Sequence, residues 1–385
     1  MRIAFYAPLK PPSHPTPSGD RRVARLLAEA LRHAGHTVEI ASKFRSRAAM
    51  PDPAALERLR ATGVRLAYRM VERTGTLLPE HRPDLWFTYH LYYKAPDWLG
   101  PAVSKALGIP YVVAEASHAP KRADGPWAKN HEAVEAAIRQ ADLVVGLNPD
   151  DAACLAPLLK PGARTLELKP FLDPAPFSEA AADRKQRRAV LAKRLSLDPD
   201  QPWLLTVAMM RAGDKEASYR VLAEALAHVT DRAWQLLVVG DGEAQRAVEL
   251  GFASMDKRVR FVPSVAPDAL PDYYGAADLF VWPAVNEAIG MAILEAQASG
   301  LPAVAGGGRG VPGVVEHGRT GLLTPVGDVD AFAEAVAAML DDPAQRAAMS
   351  AAATARVAQV HSIDGAAERL GTALADLSSA PQSTT

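Results

Sequence analysis

The sequence predicts an α/β protein of two doubly wound, Rossmann-like domains facing each other across a cleft. Three observations carry this expectation. The chain has 385 residues, more than one ordinary core organises and enough for two. Short apolar runs with little alternation recur along it, each followed by a loop and usually a helix-periodic stretch, which is the rhythm of parallel strands buried on both faces. Between residues 177 and 200 the chain turns polar and charged, dividing these runs into two groups.

The first strand is expected over residues 2–7 and ends in the proline-rich loop 8–17. A periodic helix over about 19–34 follows, Gly35 stops it, and 37–41 gives the next strand, completing a βαβ unit. Further strands are expected at 85–88, 111–114 and 143–147. The second group reads as 204–208, 235–239, 259–262, 279–282, 303–305 and 321–324, with Ala-rich helical runs over 328–340 and 344–375. The domains are therefore expected at 1–180 and 202–360, with a linker region at 181–201. A C-terminal helix over 361–377 is expected to pack back on the first domain, and 378–385 to be a flexible tail.

Composition narrows the function. With 49% hydrophobic and 23% charged residues and a net charge of −1, the chain is globular and carries no overall basic bias, so no nucleic-acid partner is expected. The single Cys154 excludes an internal disulfide and a four-cysteine metal site, and no metal or other cofactor is expected. The opening MRIAFYAPLK is too short and too charged for a signal peptide, and no stretch has 18 apolar residues, so a cytoplasmic protein is expected. Residues 54–70 pair Leu56, Leu59, Val64 and Ala67 with Arg58, Arg60, Arg65 and Arg69, which reads as a core helix with a basic outside. Peripheral contact with the inner face of a membrane stays open.

The most informative stretch is VWPAVNEAIGMAILEAQASGLPAVA. It puts Glu287 in a loop after a strand and Glu295 about one turn into the following helix. If that loop folds over the helix start, both carboxylates and the N–H groups of Ala288, Ile289, Gly290 and Met291 meet at the carboxyl end of the sheet. Carboxylates accept from sugar or ribose hydroxyls, while exposed N–H groups donate to anionic oxygens, so the site suits a hydroxyl-rich anionic ligand. The blander reading is a solvated loop acid and a favourable charge near a helix start.

Arg211 and Lys215 follow the strand at 204–208 and are the nearest cations; a guanidinium and an ammonium can stabilise a departing diphosphate without a metal, or simply form a surface pair. Gly240 after the next strand permits close backbone approach or a tight turn, and Val262, Pro263 and Ser264 are candidates to flank a base. In the first half, Gly19 stands at a helix start, where N–H groups point at an anion, and Asp20 reads as a ligand or a helix cap. His118 lies just beyond the strand at 111–114, with Glu115 as a group that contacts an acceptor or orients it; His90 is its rival.

The run 283–305, with Gly290, Gly300, Pro302 and the later GVPGVVEHGRTGLL, resembles the signature of the retaining glycosyltransferases of family 4, which have the GT-B fold. The resemblance covers nearly the whole chain and is tightest over 202–328. It implies transfer of a sugar from a UDP-, GDP- or ADP-sugar donor to a hydroxyl of a saccharide, a lipid-linked or a small-molecule acceptor, with retained anomeric configuration. It also implies that the first domain is the acceptor side and the second binds the donor. Carried over, Glu287 holds the transferred sugar, Glu295 the ribose, Arg211 and Lys215 the diphosphate, and His118 faces the sugar. Met209, Met210 and Glu216 depart from the family's phosphate segment, and one glycine, Gly19, stands where a pair is common. A non-catalytic nucleotide-sugar binding protein, or another GT-B activity such as a nucleotide-sugar epimerase, is therefore an alternative. No G-x-G-x-x-G follows the first strand, which argues against a dehydrogenase.

Overall fold

The computed structural model describes residues 1–16, 18–148 and 151–379. The expected tail residues 380–385 lie outside them. The chain divides into a first unit of Met1–Lys169 with Ile363–Thr385, and a second of Pro170–Ser362.

In chain order the first unit contains β1 (Arg2–Tyr6), α1 (Gly19–His33), β2 (Thr37–Ser42), α2 (Pro53–Gly75), β3 (Leu85–Leu91), α3 (Gly100–Leu107), β4 (Tyr111–Ala116), α4 (Ala128–Gln140), β5 (Leu143–Gly146), α5 (Ala152–Leu155) and β6 (Arg164–Glu167). The second contains α6 (Ala175–Ala182), α7 (Arg184–Leu195), β7 (Trp203–Val207), α8 (Asp214–Ala227), β8 (Gln235–Val239), α9 (Gln245–Gly251), β9 (Val259–Val262), α10 (Leu270–Ala276), β10 (Leu279–Trp282), α11 (Met291–Ala298), β11 (Ala303–Gly306), β12 (Gly321–Thr324), α12 (Val329–Asp341) and α13 (Pro343–Val360). α14 (Ile363–Ser379) belongs to the first unit again.

The first sheet is parallel in the order β2-β1-β3-β4-β5-β6. Its strand order reverses between β1 and β3, so a crevice opens at the carboxyl ends of those strands. β6 escaped the sequence reading because, as an edge strand with three of four residues exposed, it has no apolar run. A buried carboxylate organises the centre of this unit. Asp97 caps α3 by accepting the N–H groups of Leu99 at 2.9 Å and Gly100 at 2.7 Å, and it also accepts the hydroxyls of Thr88 and Tyr111. Burial raises its pKa despite these bonds. Gly100 is obligatory there, since a Cβ would stand 2.2 Å from Asp97 Oδ2.

α2 departs from the expected core helix. Only Gly63, Ala67 and Thr74 are buried, while Val64 and Tyr68 are exposed among the arginines. α14 packs on α1, with His33 Nδ1 3.1 Å from Asp364 and Arg164 2.7 Å from Asp376. The long helical run expected over 344–375 is broken at His361 and Ser362, where Leu172 donates its N–H to His361 and His361 Nδ1 lies 2.6 Å from the Pro170 carbonyl.

The second sheet is also parallel, in the order β12-β11-β10-β7-β8-β9, and reverses between β7 and β10. The expected linker 181–201 is instead mostly the helix α7, and it packs on α10. Its arginines explain the misreading, because they are structural rather than solvated. Arg184 and Arg188 donate to the buried carbonyls of Gly275, Ala276 and Ala277 at the end of α10 and to Asp278, and Arg188 lies over the Trp203 ring.

Candidate functional site

In the second unit the loops leaving β7 and β10 meet at the strand-order reversal, and they bring together Lys215 and Glu287. Gly213, at φ +88°, ends the first loop and starts α8, which places Lys215 in that helix's first turn. The Lys215 ammonium contacts Glu287 Oε2 directly and lies 5.3 Å from the centre of the Trp282 ring. Trp282 Nε1 approaches the same oxygen at 3.4 Å, so both protein donors converge on Oε2. Arg211 is exposed in the loop and Lys215 half-buried in the helix, which separates them from a simple surface pair on one helix face.

The loop carrying Glu287 is held in a conformation that few residues adopt. Ala284 and Asn286 both have positive φ, near +53° and +54°, and Arg309 does too, at +46°. Such outliers persist only where surroundings over-determine them. Here Val285 donates its N–H to Ser218 Oγ at 3.0 Å, Asn286 donates to Asp214 at 2.9 Å, and Arg309 donates to Asn286 at 3.0 Å. Glycines permit the close stacking of neighbouring loops. A Cβ on Gly310 would lie 1.9 Å from the Ala288 carbonyl oxygen, and one on Gly306 2.0 Å from that of Pro283. The N–H groups of Ala288, Ile289, Gly290 and Met291 donate to no acceptor among the described residues, which leaves a cluster of donors at the start of α11.

Glu295 lies in the second turn of α11 and is buried. Gly240, at φ +150°, stacks on the β7 loop, where a Cβ would meet the Ala208 carbonyl at 2.0 Å. Its N–H donates to the Val262 carbonyl, and the Ser264 N–H donates to Asp241. Those two backbone groups are thus already used within the protein, while Pro263 is exposed. Met210 is a fully buried core anchor and Met209 is exposed.

In the first unit a different histidine comes forward from the one the sequence favoured. His90, at the end of β3, places Nδ1 3.2 Å from Asp20 and 3.9 Å from Glu115. His90 and Glu115 both have positive φ, at +63° and +56°. Burial alone would favour a neutral His90 imidazole, but the Glu115 and Asp20 carboxylates override it and hold its pKa above the ordinary value. Burial also pushes up both acids. For Asp20 the His90 partnership reverses the direction and leaves its pKa low, whereas for Glu115 burial prevails and its pKa stays raised. Asp20 is not the helix cap, since Ser18 Oγ fills that role by accepting the Arg21 N–H at 3.2 Å. Gly19 has open space around the position of a Cβ. A cavity of about 330 Å³ opens beside Glu115, with Val144, Leu147, Leu155 and Leu166 in its wall.

His118, expected to face a sugar, turns its ring toward α4, 4.7 Å from the ring of His131 and 3.5 Å from Glu135. Sequence reasoning missed Trp282, Asn286 and Arg309. Trp282 closes the apolar strand β10 and reads as core, while Asn286 and Arg309 stand in polar loops after strands, a signal made specific only by the backbone conformation.

Comparison with known proteins places these features in a family. Residues 201–342 match the family described as "Glycosyl transferases group 1", and residues 18–166 match "Glycosyl transferase 4-like domain". A D-inositol 3-phosphate glycosyltransferase of Rhodococcus jostii is 32% identical over 190 residues, 46% of this chain and 41% of that protein. An alpha-D-kanosaminyltransferase of Streptomyces kanamyceticus is 31% identical over 249 residues, 63% of this chain and 61% of its own length. The chain thus spans less than two thirds of these relatives. Among solved structures, the sucrose-phosphate synthase of Thermosynechococcus elongatus aligns over 98% of both chains with a TM-score of 0.69 and 22% identity. Anabaena HepE in complex with UDP-glucose aligns over 98% of this chain and 100% of its own, with a TM-score of 0.71 and 19% identity. With two parallel doubly wound sheets, the fold is GT-B.

Proposed function

Since this chain belongs to the group 1 glycosyltransferases of family 4, we propose that it moves a sugar from a nucleotide diphosphate donor to an acceptor hydroxyl, with retention at the anomeric carbon. The observation that carries the reading is the meeting of Lys215, Glu287 and the uncommitted N–H groups of residues 288–291 at the strand-order reversal of the second unit. The anion-binding groups and the hydroxyl acceptor lie side by side, as a sugar diphosphate requires.

In this mechanism the donor diphosphate takes Lys215, Arg211 and the N–H groups at the start of α11. Glu287 accepts from hydroxyls of the transferred sugar, and Glu295 from those of the ribose. As the bond from the anomeric carbon to the phosphate oxygen breaks, negative charge grows on the leaving diphosphate, where the two cations and the N–H groups stabilise it. The acceptor oxygen bonds to the anomeric carbon on the same face, and its proton passes to the departing phosphate oxygen. No metal enters the scheme. UDP-, GDP- and ADP-sugars are the donor candidates, with a saccharide, a lipid-linked or a small molecule as acceptor.

On the first unit, Asp20, His90 and Glu115 supply the polar acceptor contacts, in place of the role first expected of His118. The exposed arginines of α2 with Val64 and Tyr68 support peripheral contact with an anionic membrane. The test is release of free nucleotide from a panel of UDP-, GDP-, ADP- and dTDP-sugars, with Glu287→Ala as control. Turnover of one donor, abolished in the control, supports the proposal. Nucleotide binding without turnover, across an acceptor panel of saccharides and lipid-linked sugars, would favour a binding protein instead.

A further inference from the structure

We propose that His118, His131 and Glu135 form a binding site for a divalent transition metal ion, zinc by its ligand chemistry, on the first unit. The sequence alone gave no such indication, because His118 and His131 stand at no familiar ligand spacing. Folding brings them together. His131 and Glu135 are four residues apart on one face of α4, and the loop after β4 carries His118 over that face.

One ligand atom from each residue lies within 4.8 Å of the others, and His118 Nε2 is 3.5 Å from Glu135 Oε2. Ligands about 2.0–2.1 Å from a tetrahedral zinc ion lie roughly 3.4 Å from one another, so only a small contraction converts the cluster into a coordination shell. The nitrogen atoms are also short of partners. Among the described residues both ring nitrogens of His118 and Nε2 of His131 are buried without a hydrogen bond, His118 Nε2 having only the 3.5 Å approach of Glu135; His131 is 4% exposed and the His118 side chain 9%. Buried polar atoms are rarely left unpaired, and these three belong to two rings 4.7 Å apart.

The surroundings orient the ligands. Arg139 grips Glu135 Oε1, with Nη2 at 2.7 Å and Nε at 3.2 Å, which leaves Oε2 for the metal. Two imidazoles and one carboxylate, without a thiolate, suit zinc and leave a fourth position for water. This site is independent of the proposed sugar transfer and needs no donor or acceptor for its test.

The experiment uses the full chain, stripped of metal with a chelator and titrated with zinc against a chromophoric competitor. One equivalent is expected to bind. Glu135→Gln and His131→Gln should each weaken binding at least about 100-fold, and Arg139→Ala about 10-fold, the scale of an outer-shell loss. Cobalt in place of zinc should give a visible absorption band of a tetrahedral centre, absent from His118→Asn. Circular dichroism of each variant checks folding, and Glu135→Gln, on a partly exposed residue, serves if a histidine variant fails to fold. Failure of wild type to bind zinc, or equal affinity in folded Glu135→Gln, overturns the proposal.

Discussion

The contact between Lys215 and Glu287 can be separated into a structural and a functional part. The side chains are 31% and 20% exposed, so solvent screens much of their attraction, and the pair contributes about 1 kcal/mol to stability, the upper end for partly exposed pairs. A cation acting on a developing diphosphate charge is worth far more, because it acts where charge appears in the transition state. Loss of one such group costs about 10²–10³ in rate, or about 2.7–4 kcal/mol. Lys215→Met should therefore lower unfolding free energy by about 1 kcal/mol in urea, yet slow nucleotide release about 10²–10³-fold. Glu287→Gln retains the shape and the Trp282 contact while removing the charge. With the double variant it completes a cycle whose stability coupling should be about 0.5–1 kcal/mol. If Lys215→Met lost that stability but kept its rate within about tenfold, less than about 1.4 kcal/mol of barrier, the pair would be structural and the assignment of Lys215 wrong.

Three further outcomes follow from the geometry. Gly310→Ala puts a Cβ 1.9 Å from the Ala288 carbonyl, so it should displace the Glu287 loop and abolish nucleotide-dependent thermal stabilisation while far-UV circular dichroism stays native. Asp97→Ala removes one acceptor from four donors in the first unit and should cost about 3–5 kcal/mol in chemical denaturation, from several groups left unpaired at about 1–3 kcal/mol each. The Asp20–His90 pair gives a pH signature with two edges. The raised His90 pKa contributes stability fully present below about pH 6.5 and lost as pH rises through its folded value, whereas the lowered Asp20 pKa contributes stability present above about pH 3.9 and lost as pH falls through its folded value. The difference in melting temperature between wild type and His90→Gln should accordingly shrink from pH 6 toward alkaline pH; a difference independent of pH would show that His90 does not titrate with folding.

The strands of the second unit were legible because each is a short, largely apolar run before a loop, broken in β9 only by Arg260, and β7 to β12 fall where those runs lie. β6 was not, since an edge strand facing solvent has no such run. α7 was misread for a related reason: a sequence rich in arginine looks solvated unless the carbonyls it caps, here at the end of α10, are in view. The site divides in the same way. Glu287 and Lys215 are marked by their places after two strands, but their contact depends on the left-handed Ala284 and Asn286, a conformation that asparagine favours and alanine does not announce. The preference for His118 over His90 rested on position after a strand, which carries no information on side-chain direction. Both follow strands, and only the fold turns one toward Asp20 and the other toward α4.

The second unit's arrangement also bears on how the proposed site works. In the free protein Lys215 and Glu287 neutralise one another, so neither charge is left exposed without a counterion. A sugar diphosphate offers each a replacement, phosphate oxygens for the ammonium and hydroxyls for the carboxylate. Binding then exchanges partners rather than stripping two unpaired charges of water. The loop need not reorganise for this exchange, because Ser218, Asp214 and Arg309 already hold it and glycines at 306 and 310 lock it against neighbouring backbone. Donor affinity should consequently depend on the fit of the diphosphate to residues 288–291 more than on the strength of the original ion pair. Lys215→Met is then expected to affect bond cleavage, where charge grows, more strongly than ground-state binding.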